Sequence, residues 1–122
     1  MRPHQKLDVW KKSIDFVSEI YRLTSVFPEK EKFGLISQLR RASISIPSNI
    51  AEGAGRESKK EFRNFLSIAQ GSASELETQL IISERLEYID TESLKEMLNF
   101  LNDISKMIIG LKKSLKLKKD NT

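Results

Sequence analysis

Apolar side chains recur at intervals of three and four along most of this chain, and no segment alternates apolar with polar residues. The first pattern is one face of an α-helix and the second would be one face of a strand, so helices are expected and a sheet is not. The first run, from about Leu7 to Thr24, has Trp10, Ile14, Val17, Tyr21 and Thr24 as its expected core stripe. It closes before Phe27-Pro28, because a residue preceding proline is driven out of helical geometry. The second, about 33–53, holds Leu35, Leu39, Ala42, Ile46 and Ile50, with Pro47 inside it. A proline there removes a backbone donor and clashes with the Ser43 carbonyl. Two readings follow. Either one kinked helix runs through, with Ser43, Ser45, Ser48 and Asn49 satisfying the freed groups, or a helix stops at Ser45 and restarts with Pro47 in its first turn.

The Ala51–Glu57 stretch is a glycine-marked turn, with Gly53 or Gly55 expected in the left-handed conformation. Ser58 and Glu61 form a Ser-x-x-Glu capping box that opens a third helix, about 59–86. Its stripe is Phe62, Phe65, Leu66, Ala69, Ala73, Leu76, Leu80 and Leu86. A turn at Glu87–Asp90 precedes a fourth helix, about 92–116, with Thr91 as N-cap and Leu94, Leu98, Leu101, Ile104, Ile108, Leu111 and Leu115 as its near-heptad stripe. Residues 117–122 read as a frayed basic tail. Four helices with short connections predict a single up-down-up-down antiparallel bundle spanning 1–122.

With a turn centred near Gly55, Ala42, Ser43 and Ser45 would face the Ala69–Ser74 stretch, small residues against small. Gly71 costs roughly 1 kcal/mol of helix propensity, which close approach would offset. Gln38, Arg41, Asn49, Glu52, Ser72, Glu75 and Gln79 lie at or beside the apolar stripes. A lone bundle would leave them on its surface, and an oligomer would bury them as paired groups that set register.

The antiparallel order also sorts the charges. Of 122 residues, 21 are Lys or Arg and 17 are Asp or Glu, a net +4. The starts of helices one and three share one end with the finishes of helices two and four. That end carries +8, the opposite end −3 and the waist between them −1. Lys11, Lys12, Arg56, Lys59, Lys60, Arg63, Lys112, Lys113 and Lys116 at the basic end are the candidate phosphate contacts for nucleic acid, RNA or DNA. The bland alternative is a solvated rim, since lysines at a helix C-terminus also suit its dipole.

Catalysis finds little to work with. There is no cysteine, and His4 is the only histidine. Thiol nucleophiles, Ser-His pairs and Cys/His metal centres therefore drop out. Arg2 and His4 are too close for the Arg-x4–6-His pair of some helical-bundle nucleases, and the Glu-x-x-His pairs of di-iron bundles are missing. A carboxylate-only metal site from Glu52, Glu61 and Glu75 is the one remaining option, and neither a metal nor a cofactor is expected. Met1–Trp10 has no apolar run of a signal peptide, and no run approaches the ~20 residues of a spanning helix, so no membrane and a cytoplasmic location are expected.

The runs FGLISQLRRASISIPSNIAEGAGR (Phe33–Arg56) and EFRNFLSIAQGSASELETQL (Glu61–Leu80) closely resemble the S23 family, four-helix-bundle proteins encoded by intervening sequences within bacterial 23S ribosomal RNA genes. The opening LDVWKKSIDFVSEIYRLTSVFP is similar to that family as well. The resemblance covers roughly Leu7 to Ile89. It implies a four-helix bundle assembled as a homopentameric ring. A related branch, the accessory variability protein of diversity-generating retroelements, implies nucleic-acid binding and association with a reverse transcriptase or other RNA-handling protein. Arg40, Arg41, Ser45, Pro47, Asn49, Glu52, Gly53 and Arg56 match the family motif. With Glu75 they are the candidate motif or assembly residues, and the resemblance implies no catalytic residue. Two functional readings stand: a non-enzymatic, oligomeric nucleic-acid-binding protein, or a protein–protein adaptor ring whose charge only keeps it soluble.

Overall fold

The computed structural model describes residues 1–116, so the 117–122 tail lies outside the described residues. A short 3-10 turn, Pro3–Lys6, leads into α1 (Asp8–Thr24), and a second, Glu29–Glu31, leads into α2 (Leu35–Ala54). α3 (Lys59–Arg85) and α4 (Thr91–Ser114) complete the chain, and no strand occurs among the described residues. Each helix packs on the next and α4 closes on α1, a four-cornered antiparallel bundle. No described helix is long and apolar enough to cross a membrane.

One core runs the length of the bundle. Phe16 and Ile20 meet Leu39, Ile46 and Ile50, Leu66, Leu76 and Leu80, and Ile104 and Ile108, all fully buried. Each contributes about 1.5–3 kcal/mol relative to exposure. The expected stripes of α2 and α3 are buried apart from the half-buried Phe62 and Phe65 and the exposed Leu86, which lies past the end of α3. On α4 the buried set is Met97, Leu101, Ile104 and Ile108, with Leu94, Leu98, Leu111 and Leu115 half-buried around it.

α1 is the main correction. Its buried face is Val9, Ser13, Phe16, Ile20 and Thr24, while Trp10 and Val17 are half-buried and Ile14 and Tyr21 exposed. The helix carries two apolar stripes, and a serine sits in the one that faces the core. Ser13 is accommodated because its hydroxyl donates to the Trp10 carbonyl at 2.8 Å, leaving only a small side chain to bury.

α2 is one helix through Pro47. Asn49 Nδ2 donates to the Ser45 carbonyl at 2.8 Å and to its hydroxyl at 3.0 Å, adding donors next to the missing one. Neither Gly53 nor Gly55 takes a positive φ. Gly53 is needed for a different reason: a Cβ there would lie 2.8 Å from both Phe62 Cδ1 and Phe65 Cβ, because α3 crosses it so closely. Among the described residues the left-handed one is Glu87, at φ 63°. There Tyr88 N–H donates to the Ser83 carbonyl and Glu87 N–H to that of Glu84, each at 2.9 Å, a Schellman ending of α3.

The caps divide similarly. Ser58 opens α3 as expected, accepting from the Glu61 N–H at 3.1 Å. At α4 the cap is Asp90 rather than Thr91: its carboxylate accepts from Ser93 N–H at 2.7 Å, and that bond holds Asp90 below the usual carboxylate range. α2 is capped from a distance by Glu31, which accepts from Leu35 N–H at 3.1 Å and from the Tyr88 hydroxyl at 2.8 Å. These bonds favour the ionised form, the backbone one most, and lower the Glu31 pKa. A carboxyl lowered on folding adds stability above its unfolded pKa and loses it as pH falls through the folded one. Stability is therefore expected to decline as pH drops below about 5, and Glu31→Gln to flatten that decline. Urea melts of both proteins between neutral and acid pH would show it, and parallel pH profiles would refute the role given to Glu31.

Candidate nucleic-acid interface

The basic end is assembled by topology. The first turns of α1 and α3 and the last turns of α2 and α4 converge there, and cross-contacts fix the arrangement. Arg63 on α3 donates to the Lys112 carbonyl in the last turn of α4 at 2.8 Å, beside the Leu115 N–H that the same carbonyl accepts at 3.1 Å. Lys112 Nζ returns to α3, donating to Ser67 Oγ at 2.8 Å and Gln70 Oε1 at 2.9 Å. Lys12 reaches Asp103 at 3.6 Å, with its ammonium 5.7 Å from the Phe100 ring centroid. Arg56 lies 3.2 Å from Glu52 and 3.9 Å from Glu61, over the Phe65 ring.

Four of the nine candidate cations, Lys12, Arg56, Arg63 and Lys112, are thus committed to contacts within the chain. The other five, Lys11, Lys59, Lys60, Lys113 and Lys116, are exposed and have no ion pair or hydrogen bond among the described residues. Their relation to the helix dipoles differs. Lys113 sits in the last turn of α4, where a cation is favourable. Lys59 and Lys60 open α3, where the dipole favours anions and each lysine costs a few tenths of a kcal/mol. Helix stability explains the first and not the other two. Glu52 and Glu61 share Arg56, and no group of three metal-ligating side chains capable of holding an ion occurs among the described residues.

The motif residues occupy α2 and both of its flanks. Arg40 ties α2 to α1: its Nε donates to Thr24 Oγ1 at 2.9 Å, and its guanidinium lies 4.4 Å from the Tyr21 ring centroid. Ser72 donates to Ser45 at 2.8 Å, and Gln79 Nε2 to Gln38 Oε1 at 3.4 Å. Those pairs centre the α2–α3 crossover on Ser58 rather than on Gly55. Small residues do meet, Ser45 against Ser72, within the expected Ala69–Ser74 stretch. Gly71 is not part of that contact: it faces open space. The polar set is split between the two expected fates. The chain itself buries Ser72 and Gln79, whose Oε1 has no partner, while Gln38, Arg41, Glu52 and Glu75 stay exposed.

A groove between α1 and α2 is the feature that the sequence pattern missed. Trp10, Ile14 and Val17 line it opposite Ile44, Pro47 and Ala51, with His4 edge-on to Trp10 at 4.9 Å. It continues past Ile44 to Tyr21, Ile36, Arg41 and Phe33, which is 90% exposed. The second apolar stripe of α1 was the available signal.

The chain matches, over residues 5–110, the family described as 23S rRNA-intervening sequence protein. A solved structure from Bacteroides thetaiotaomicron, a protein of unknown function from the S23 ribosomal protein family, is similar at 32% identity and a TM-score of 0.77. The similarity covers 86% of this chain and 98% of that one. Comparison with curated proteins finds no match.

Proposed function

The chain belongs to the 23S rRNA-intervening sequence protein family, and from that premise we propose that it is a non-enzymatic, oligomeric RNA-binding protein that grips phosphate with the basic end of its bundle. The supporting observation is Lys59 and Lys60: two exposed lysines without internal partners, placed against the dipole of the helix they open. A cation held where it costs stability is accounted for by an anion that binds it. Lys11, Lys113 and Lys116 extend the patch across three helices. The chemistry is backbone recognition. The aromatic side chains nearest this end, Trp10, Phe62 and Phe65, are half-buried in the bundle and its groove, not fanned out for base stacking. A ring of copies, with its basic ends on one face, multiplies the contacts, and the resemblance to the accessory variability protein is what supports an RNA-handling enzyme such as a reverse transcriptase as partner.

Fluorescence anisotropy with a structured RNA hairpin, and a DNA duplex for comparison, tests this across salt concentrations. Five phosphate contacts give a log–log slope of about −4 with salt, and several copies a steeper one. No binding at low salt, or binding that ignores salt, sinks the proposal.

A further inference from the structure

Arg56 stands at the α2–α3 turn, three residues before Lys59, with its guanidinium over the Phe65 ring at 5.0 Å from the centroid. A flat cation stacked in this way has one face covered and its edges left for hydrogen bonds. The ring is itself fixed by packing. α3 crosses α2 so closely at Gly53 that a methyl group there would lie 2.8 Å from Phe65 Cβ, and Phe65 is half-buried. The plane of Arg56 is therefore set before any ligand arrives.

Those edges are little used within the chain. Nη2 donates to a Glu52 carboxylate oxygen at 3.2 Å. Nη1 stands 3.9 Å from Glu61 Oε2, beyond hydrogen-bond reach, and Glu61 Oε1 accepts from the Ser58 hydroxyl at 3.1 Å instead. A guanidinium carries several N–H donors, and the bond to Glu52 is the one that Arg56 makes among the described residues. Arg56, Glu52 and Glu61 are all exposed, and an ion pair in water is held weakly.

We propose that Arg56 is a latched phosphate clamp: a phosphodiester of the bound RNA displaces Glu52 and takes two parallel N–H bonds from the guanidinium, which Phe65 holds in position. The inference rests on the RNA-binding reading above and adds a contact of a kind that the five unpaired lysines do not supply. An ammonium is a point charge, whereas the planar fork of an arginine matches two phosphate oxygens at once. The contact with Glu52 is exchanged on binding rather than kept. Glu52 also makes the clamp selective. A lone small anion has to displace the carboxylate unaided, while an RNA phosphate arrives with other phosphates of the same strand already held by Lys59 and Lys60.

Anisotropy titrations of the full chain with the same structured hairpin, at several salt concentrations, test it. Arg56→Gln is expected to weaken binding about tenfold near 0.1 M salt and to flatten the log–log slope by about one. Arg56→Lys keeps the charge, so it should restore the slope while binding stays about threefold weaker than wild type. Glu52→Gln opens the latch and should tighten binding about threefold to tenfold, and Phe65→Leu, which changes no charge, should weaken it about threefold. On an Arg56→Gln background both effects should shrink below about twofold. Arg56 and Glu52 are exposed, so their variants are expected to fold even if Phe65→Leu does not, and circular dichroism melts check each one. If Arg56→Gln leaves affinity and slope at their wild-type values, or if Glu52→Gln tightens binding equally with and without Arg56, this inference falls and the five-lysine reading stands. A wild-type chain that binds no hairpin at low salt overturns both.

Discussion

Reversing charge at Lys59, Lys60 and Lys113 to glutamate is expected to cut RNA affinity by about 10²–10³-fold near 0.1 M salt, and to flatten the salt slope by about two to three per chain. The prediction separates binding from folding because of where two of these lysines sit. Glutamates at 59 and 60 in the first turn of α3 complement its dipole, each worth about 0.3–1 kcal/mol, and together they offset the opposite effect of a glutamate at 113 in the last turn of α4, so the variant should melt no lower than the wild-type chain despite losing RNA. Lys112, adjacent in sequence, is excluded from the triple change because it bridges to Ser67 and Gln70. If the triple variant binds RNA as the wild-type chain does, the basic end is a solvated rim, and an adaptor role for the oligomer is the reading that survives.

Gly53→Ala is expected to destabilise the fold by about 1–3 kcal/mol, although alanine in a helix is worth about 1 kcal/mol more than glycine. The added methyl would sit 2.8 Å from Phe65 Cβ and 3.3 Å from the Phe62 carbonyl oxygen, atoms fixed to the α3 backbone that cannot swing aside. α2 and α3 would have to part, stretching the Ser45–Ser72 bond as they did so. Gly110→Ala is the matched control. Nothing lies within 4 Å of that position, so the propensity gain should appear undiminished. Chemical denaturation of the two variants side by side gives the comparison. Equal stabilities would show that the α2–α3 approach is not what holds Gly53 as glycine.

Legibility varied by helix, for identifiable reasons. α2 and α3 each carry one dominant stripe, and Leu35, Leu39, Ala42, Ile46 and Ile50 are buried where the spacing puts them. α1 carries two stripes, and spacing alone cannot rank them: Trp10, Ile14 and Val17 keep the helical period, while the bundle buries Phe16 and Ile20 and tolerates Ser13 beside them. The helix ends show the same contrast. Ser58 was legible because its Ser-x-x-Glu spacing to Glu61 directly follows a glycine-marked turn. Glu87 was not, because a glutamate gives no local sign of a left-handed backbone, and the Schellman bonds of α3 impose it. At the basic end, the chain order placed all nine candidate cations, but not which of them the chain consumes. Lys12, Arg56, Arg63 and Lys112 find partners on other helices or across the α2–α3 turn, a matter of distance rather than of sequence.

The sequence by itself determined that this protein is helical, that it has four long helices, and that its charge separates toward one end. Those properties follow from a 3.6-residue period and from alternating chain direction, both of which are local or nearly so. Only the tertiary structure decided which face of α1 is inside, why Gly53 is glycine, and which lysines remain open to an anion. It also decided that α1 and α2 leave an apolar groove between them. Each of these depends on the register between helices, which is set by packing many side chains at once and is written in no single stretch of the chain.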